Sequence, residues 1–583
     1  MGEKLTLSQR NICAALLAAV VLAICLFSGL SAIGLVGPDE PRYAWIARDM
    51  AHSGNWITPF LYGLPWFEKP ILYYWSAGFF FKFLHSPEWA ARLPSSLAAL
   101  VSALAMAWLA LRRYGTATAW AVLLIFPTCV GVIAFARAAS PDMLFTASLA
   151  LAFLCAASVV EKHGVFAGKD TALAIVPDDK LALIFLGIWL GFATLAKGPA
   201  AVVLAGGSVL LWALATQKWK AAFRLLHPLA ILFFCIVALP WYILCAYLNP
   251  DFFRTFILLH NFERYLTPVF QHREPFWFFI PIILIGLLPW TALLVSAALD
   301  GQRIFGNGEW RTSSGFFIAC WAIFPVVFFS LSQSKLPEYI LPVFPPLALL
   351  MARSFACAIE WAPRKTQWIG VATGTMWVAL GVAGAIGFHR LPPYEPPYQH
   401  GINQLALAAL LIGLITGLAI EFFSLARKPW LVLAISALVA AASVGVAVVR
   451  VLPQLDALIS TRPLARDIHK ILSANTNRIW PSDFQIDAVG DINRNCDYGL
   501  RFYLDSSGFV QFQPRWQRHE RYLLVGNGGD MLLNNVGLIH RRIVAKFLPY
   551  CWVESLPKPV IYDDKSSITA PVVPKAGGAA GKK

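Results

Sequence analysis

The chain has 583 residues, of which 58% are hydrophobic and only 14% are charged, and its formal net charge is +15. A soluble globular protein cannot bury this much apolar surface, so the composition excludes one and predicts a chain whose solvent is a lipid bilayer. The positive charge does not indicate a nucleic-acid partner, because basic turns on one side of a membrane and a basic tail account for much of it.

The apolar segments predict thirteen membrane-spanning helices, most of them close to the ~20 residues that cross ~30 Å of hydrocarbon. The first segment lacks a small-residue cleavage site and is too long for a removable signal peptide, so we expect it to be retained. The predicted fold class is therefore an all-α polytopic membrane protein. The predicted spans are residues 12–36, 93–111, 116–135, 143–160, 181–196, 199–216, 228–248, 276–299, 314–332, 338–356, 366–388, 403–424 and 430–451.

Basic residues concentrate in alternate turns between these spans, which fixes the predicted orientation. By the positive-inside rule such turns lie in the cytoplasm, so the N-terminus is predicted inside and the chain after residue 451 outside. The basic residues in these turns are Arg112, Arg113, Lys218, Lys220, Arg224, Arg353, Arg364, Lys365, Arg427 and Lys428.

The predicted domains are a membrane domain over residues 1–451, a small α/β domain over 452–566 and a disordered tail over 567–583. The helix-like stretch LARDIHKILSA and the strand-like stretches FQIDAVG, RYLLVGN and KPVIYD indicate the α/β domain. The tail is expected to be disordered because it contains mainly Pro, Gly, Ala and Lys without an amphipathic period. An oxidising compartment would allow Cys496 and Cys551 of the second domain to pair, but the sequence does not show that they are close.

Every cluster that mixes acidic, basic and aromatic residues falls on the predicted outer side. Charged groups at a bilayer edge are costly unless they face a polar cavity, so this sorting predicts an external cavity. Carboxylates in it could act as general bases or metal ligands, and Lys and Arg could hold a phosphate. A lipid-linked phosphate would suit such a site at the lipid boundary. The clusters are GPDEPRYAWIARDM, LPWFEKPILYYW, EWAARLPSS, FARAASPDMLF, LAKGPA, HNFERY and SKLPEYILP.

The first of these clusters has helical spacing, which places Asp39, Arg42, Tyr43 and Ile46 on one face of a helix. Two interpretations of Asp39 are open from the residues alone. Its carboxylate could serve the cavity, or it could be an ordinary N-cap beside the helix dipole. Glu40 lies one helical step further round and could face the protein rather than a substrate.

The FEKP cluster repeats this combination, with Glu68 and Lys69 in front of a proline and an aromatic stretch. The structural alternative is an interface anchor, in which Tyr73, Tyr74 and Trp75 lie at the level of the lipid headgroups. The aromatic residues fit that alternative well, whereas the charged pair still calls for a polar cavity.

Together and in this order, the motifs resemble those of the GT-C superfamily of integral membrane glycosyltransferases. Within it they are most similar to the bacterial aminoarabinose transferases and the protein O-mannosyltransferase-related group. The resemblance implies juxtamembrane helices in a first periplasmic loop and a location in the bacterial inner membrane. It also implies transfer of a sugar, with 4-amino-4-deoxy-L-arabinose as the first candidate, from undecaprenyl phosphate to lipid A or another envelope acceptor. The expected partners are this donor, this acceptor and membrane lipids, without nucleic acid or an organic cofactor.

The same resemblance implies roles for individual residues. The catalytic candidates are Asp39, Asp142 and Glu68, where the two aspartates match acids of the family's first two external loops. Glu68 and His260 resemble a metal-binding pair, which would imply Zn, Mg or Mn, although zinc usually takes at least three protein ligands. Without a metal, His260 is a polar loop residue. The candidates for binding the donor phosphate are Arg42, Tyr43, Lys69, Arg264, Lys335 and Tyr339.

The sequence departs from the aminoarabinose type in the stretch SQSKLPEY. Gln333 stands where a small residue is expected, and Glu338 precedes the tyrosine. Another sugar, or a protein or polysaccharide acceptor, therefore remains an alternative.

A transporter or flippase of lipid-linked sugars is the rival class, but transporters place ionisable residues near the bilayer midplane and often contain inverted repeats. The predicted spans here are almost free of charge, and the sequence shows no such repeat.

Overall fold

The structure is a computed structural model that describes residues 7–162, 178–263, 265, 274–306, 308–389, 396–475, 486–489, 494–505, 509–511, 522–525, 541–547 and 550–555. Within these ranges, ten helices are long and apolar enough to cross a membrane, and two bent helix pairs could each form one further span. A shorter apolar helix, Ala200–Thr216, completes the series. In chain order these elements correspond to the predicted spans, so the prediction of a multi-pass helical membrane protein is confirmed.

The first half of the chain contains both long apolar helices and shorter helices between them. They are α1 (Leu7–Leu22, continued by a π-helical turn to Phe27), α2 (Asp39–Ser53), α3 (Leu72–Phe81), α4 (Pro87–Tyr114), α5 (Thr116–Ile125), α6 (Val130–Ala136), α7 (Asp142–Lys162), α8 (Asp179–Lys197), α9 (Ala200–Thr216), α10 (Trp219–Arg224), α11 (Pro228–Leu248) and the π-helical α12 (Phe253–Glu263). A two-residue hairpin, β1 (Phe60–Leu61) and β2 (Leu64–Pro65), lies between α2 and α3.

The second half completes the membrane part and adds a small mixed region. Its helices are α13 (Phe279–Gly286), α14 (Thr291–Gly306), α15 (Ser314–Leu331), α16 (Phe344–Trp361), α17 (Pro363–His389), α18 (Pro396–Leu425), α19 (Pro429–Val446), α20 (Leu452–Ile459), α21 (Arg462–Asn475) and α22 (Arg494–Leu504). Its strands are β3 (Ile486–Val489), β4 (Phe509–Gln511), β5 (Tyr522–Val525), β6 (Arg541–Phe547) and β7 (Tyr550–Ser555).

The first span is shorter than predicted. The helix ends at Phe27, and residues 28–36 run as turns and extended chain although their side chains are mostly apolar. The carbonyl groups of Leu30, Ile33 and Gly34 accept hydrogen bonds from the Arg92 guanidinium at 2.7, 2.9 and 2.7 Å. The predicted span end was wrong because hydropathy does not register that a buried guanidinium satisfies these backbone groups in place of a helix.

The long loop after α1 contains two helices, as the family resemblance implied. Helix α2 starts with two acidic residues in its first turn, which suits the positive end of the helix dipole. It ends at Gly54, whose left-handed backbone (φ 74°) closes the helix by donating to the carbonyl of Met50. Most of α2 is buried, so it packs into the protein instead of lying on the surface.

Helices α20 to α22 pack against the start of the chain through a buried ionic network. The Arg462 guanidinium lies 3.1 Å from Glu88 and 2.6 Å from Asp456. The Tyr503 hydroxyl donates to Glu88 at 2.9 Å, and the Leu35 amide donates to the same hydroxyl at 2.8 Å. This network anchors the segment that follows the last span to the loop that follows the first.

The chain divides into two compact units. The first comprises residues 1–479 and 493–508, and the second comprises 480–492 and 509–583. In the second unit, five strands form a mixed sheet in the order β4-β3-β5-β7-β6. The predicted helix LARDIHKILSA and the predicted strands in FQIDAVG and RYLLVGN are confirmed as α21, β3 and β5. The predicted strand in KPVIYD and the predicted tail 567–583 lie outside the described residues, and β4, β6 and β7 were not predicted.

Candidate functional site

The first part of the candidate site is an arginine held between two carboxylates. Arg42, one turn into α2, forms an ion pair with Asp39 and a second one with Glu68 at 3.0 Å. The N-cap of α2 is Pro38, so the alternative in which Asp39 is the cap does not hold. The Asp39 side chain is 55% exposed and that of Arg42 only 11%, so the carboxylate projects towards solvent from a buried cation.

Three aromatic rings surround this guanidinium. Its carbon atom lies 5.3 Å from the ring centre of Tyr43, 5.5 Å from that of Trp66 and 5.8 Å from that of Tyr498. Burial acts to lower the pKa of Arg42. Tyr43, Glu68 and Asp39 together raise the pKa by more than burial lowers it, so the net shift is upward. Arg42 therefore keeps its charge, and the low polarity around the guanidinium strengthens its pair with Glu68, whose side chain is also largely buried.

Glu40 has a different task from its neighbour Asp39. Its carboxylate is buried and accepts hydrogen bonds from the Val36 amide at 2.7 Å, Arg92 Nη2 at 2.6 Å and the Ala139 amide at 2.7 Å. The expectation that Glu40 faces the protein is confirmed. Because Ala139 lies in the turn just before α7, Glu40 also fixes where Asp142 begins that helix.

The second part of the site is the ion pair between Asp142 and Lys197. Asp142 is the first residue of α7 and Lys197 the last of α8, and each side chain is 9% exposed. The ammonium group of Lys197 also lies 5.0 Å from the centre of the Tyr339 ring. The sequence placed Lys197 in an outer turn without giving it a role. The signal was present in LAKGP, where a lysine ends a span directly before a helix-breaking Gly-Pro pair.

Lys335 and Tyr339 lie in the connection between α15 and α16. The buried Lys335 ammonium donates to the carbonyls of Glu274 at 2.9 Å and Ser332 at 2.6 Å, which uses two of its three N–H groups. Burial lowers the pKa of Lys335, and the Glu274 carboxylate opposes this only in part. Tyr339 is buried in a 3-10 helical turn, with its ring 5.2 Å from that of Phe329.

Glu68 and Lys69 connect the two parts of the site. Glu68 binds Arg42, while the next residue, Lys69, interacts electrostatically with Glu338. Glu338 interacts in the same way with Asp142 and Lys197. The departure at Glu338 therefore adds a carboxylate beside the predicted catalytic and phosphate-binding residues.

The side chains of two predicted site residues lie outside the described part of the structure. Arg264 lies outside the described residues, and so does the side chain of His260, although its backbone belongs to α12. Among the described residues, no group of three or more His, Cys, Asp or Glu side chains could hold a metal ion. The remaining ligand of the proposed pair, Glu68, is bound to the Arg42 guanidinium, which a metal ion would have to displace. The described residues therefore do not fit a metal centre.

Comparison with known proteins gives consistent family matches. A family model described as dolichyl-phosphate-mannose-protein mannosyltransferase matches residues 11–256. The undecaprenyl phosphate-alpha-4-amino-4-deoxy-L-arabinose arabinosyl transferase of Edwardsiella ictaluri is 36% identical over 54% of this chain and 54% of that protein. The transferase of the same description, numbered 2, from Sodalis glossinidius is 34% identical over 67% of this chain and 68% of that protein. The chain thus matches about half of the first relative's length and about two thirds of the second's.

A solved structure extends the similarity over nearly the whole chain. The crystal structure of ArnT from Cupriavidus metallidurans bound to undecaprenyl phosphate matches with a TM-score of 0.75 at 21% sequence identity. The match covers 94% of this chain and 99% of that chain. At this identity the similarity establishes the fold, and it confirms the predicted GT-C architecture.

Proposed function

Because this chain belongs to the family of undecaprenyl phosphate-alpha-4-amino-4-deoxy-L-arabinose arabinosyl transferases, we propose that it transfers this amino sugar from undecaprenyl phosphate to lipid A. One observation carries the proposal. The solvent-facing carboxylate of Asp39 belongs to a site that also contains Asp142, Lys197 and Tyr339. A group of carboxylates and lysines at a membrane boundary suits a lipid-linked phosphate donor.

The reaction is a single displacement at the anomeric carbon of the sugar. An oxygen of the acceptor forms the new bond to this carbon, while the bond from the carbon to the donor phosphate breaks and the configuration inverts. The bonding electrons leave with undecaprenyl phosphate, which gains one negative charge as the acceptor phosphate loses one. Groups that stabilise the charge on the departing phosphate therefore supply much of the catalysis.

We assign the departing phosphate to Lys69, Lys335 and Tyr339. Lys335 supports this because its ammonium group has one N–H beyond the two that donate to protein carbonyls. Arg264 and Tyr43 remain predicted donor contacts, and the former lies outside the described residues. Each lysine is a point charge that can follow the phosphate as the bond breaks.

Arg42 was predicted to bind the same phosphate, but its contacts support another role. Two carboxylates already neutralise its guanidinium, so it has little attraction left for a third anion. We propose that Arg42 orients Asp39 towards the acceptor. A lipid A phosphate is already ionised and needs positioning more than deprotonation, whereas a hydroxyl acceptor would need Asp39 as a base.

The proposal also fixes an orientation in the membrane. The chain would lie in the bacterial inner membrane with its N-terminus in the cytoplasm, and the site and residues 452–566 would face the periplasm. The alternation of basic turns in the sequence supports this orientation. In the proposed reaction Glu68 serves as a partner of Arg42 and not as a metal ligand.

The function is tested by incubating the purified chain with the aminoarabinose-loaded lipid donor and lipid A, followed by mass spectrometry of lipid A. We expect a mass gain of one pentosamine per modified phosphate, and a deletion strain should lose the same mass from its lipid A. Unchanged lipid A in both experiments would exclude this acceptor. A gain of mass on a protein or glycan instead would favour the alternative acceptors.

The lowered pKa of Lys335 gives a prediction for the pH dependence of donor binding. Because burial favours its neutral form, Lys335 should lose its proton at a lower pH than an exposed lysine does. Binding of undecaprenyl phosphate should therefore weaken as the pH rises towards the ordinary lysine pKa of about 10.4, and this loss should begin at a lower pH than for an exposed lysine. The phosphate monoester, with a second pKa of about 6, keeps its charge over the same range. Lys335→Met should weaken binding about tenfold or more near neutral pH, since a charge-assisted hydrogen bond is lost.

The matched control is Lys335→Arg, which keeps the positive charge throughout this pH range. Its binding should vary less with pH than that of the unmodified chain, whatever its absolute affinity. An affinity that falls equally with pH in both proteins would assign the titration to another group.

A further inference from the structure

We infer that Tyr498 of α22 is a positioning residue for the proposed transfer reaction, because its ring closes over the Arg42 guanidinium that holds Asp39. The expected effect on the transfer rate rests on the proposed function, whereas the contact between Tyr498 and Arg42 does not. Tyr498 lies beyond the last membrane span, in a segment to which the sequence assigned no part of the site.

The contact is made by three separate parts of the chain. Tyr43 belongs to α2 itself, Trp66 follows the β1–β2 hairpin, and Tyr498 comes from α22. A guanidinium over aromatic rings is attracted by their electron-rich faces, and this attraction grows when water is excluded. The Arg42 side chain is 11% exposed, so the rings act in a largely dry environment.

The Tyr498 ring is itself held in place by the hairpin. It lies parallel to the Tyr62 ring, with centres 6.2 Å apart and planes 16° apart. Tyr62 packs edge-on against Trp45 of α2 at 4.7 Å and lies under the Arg501 guanidinium at 4.7 Å. Tyr62 also has a positive φ of 54°, an uncommon conformation for a residue with a side chain. These contacts order the ring before any substrate binds.

Helix α22 is anchored independently of this ring. Phe502 lies under the Arg48 guanidinium at 4.3 Å, and Arg48 pairs with Asp505 at 2.9 Å. Phe502 and Tyr498 are thus two aromatic residues of one helix that each cover an arginine of α2. Only the arginine at Tyr498 binds Asp39, so Phe502 provides a control for loss of an aromatic ring from the same helix.

The exposure of Asp39 makes its position depend on Arg42. Among the described residues, the Asp39 carboxylate forms its ion pair with Arg42, and more than half of the Asp39 side chain faces solvent. If Tyr498 is removed, water can reach the guanidinium and Arg42 can turn away from one of its two carboxylates. The expected defect is in the chemical step, since Tyr498 is not among the proposed phosphate contacts.

The experiment compares Tyr498→Leu with Phe502→Leu, each alone and combined with Arg42→Lys. Tyr498→Leu should lower kcat about 5- to 30-fold with less than about a threefold change in the KM for the donor. Tyr498→Phe should restore most of the activity because it keeps the ring. In the Arg42→Lys background, Tyr498→Leu should have little further effect, whereas the effect of Phe502→Leu should multiply with that of Arg42→Lys.

A second readout needs no transfer reaction. The same variants and Arg42→Lys alone are unfolded thermally. The Tm change of the double variant Tyr498→Leu with Arg42→Lys should be smaller than the sum of the two single changes. Additive Tm changes, or an equal kcat loss in Phe502→Leu, would overturn the inference. If the unmodified chain transfers no aminoarabinose while the Tm coupling is present, the proposed function fails and the contact between Tyr498 and Arg42 stands.

Discussion

Replacing Asp39 by Asn should reduce sugar transfer about 100-fold or more, while the amount of folded protein and the binding of undecaprenyl phosphate stay unchanged. The asparagine has nearly the same size and can still accept a hydrogen bond from Arg42. What it loses is the negative charge, either as a base for a hydroxyl or as the group that orders the acceptor. Because the side chain is 55% exposed, folding should not suffer.

The measurement is initial transfer rate in proteoliposomes, normalised to folded protein. Asp49→Asn is a suitable control, since Asp49 is a partly exposed carboxylate on the same helix whose charged neighbours are His52 and Arg48. It should keep wild-type activity. Full activity in Asp39→Asn would remove Asp39 from the reaction and leave Asp142 as the candidate acid.

Replacing the adjacent residue, Glu40→Gln, should instead lower the free energy of unfolding by about 3–5 kcal/mol. The amide cannot accept all the hydrogen bonds that the carboxylate receives from Arg92 and from the amides of Val36 and Ala139. It also leaves the buried Arg92 guanidinium without its counter-charge, and breaking a buried pair in this way is strongly destabilising.

Thermal unfolding in detergent, followed by size-exclusion chromatography, measures this effect. Arg92→Leu should lower the free energy of unfolding by at least as much. It removes the hydrogen-bond donor of three backbone carbonyls and also the positive charge that pairs with Glu40. A Glu40→Gln protein with wild-type stability and no activity would contradict the structural role and place Glu40 in the reaction. At these two neighbouring positions, we thus expect the substitution of Asp39 to affect the reaction and the substitution of Glu40 to affect folding.

The sequence by itself determined the membrane fold and the order of the spans, and it predicts the side of the membrane on which the charged motifs lie. These features are local, because each span must satisfy its own backbone and be apolar enough for lipid, so hydropathy and basic turns record them directly. The motif resemblance likewise identified the family. The end of the first span was the main local error, since Arg92 satisfies carbonyls that hydropathy assigns to a helix.

Only the tertiary structure decided which charged groups are partners. It separated the exposed Asp39 from the buried Glu40, paired Asp142 with Lys197, and placed Arg42 between two carboxylates. It also brought Tyr498, from beyond the last span, onto Arg42. Such contacts join segments that are far apart in the chain, and they depend on how the spans pack and not on the spacing of residues within any one of them.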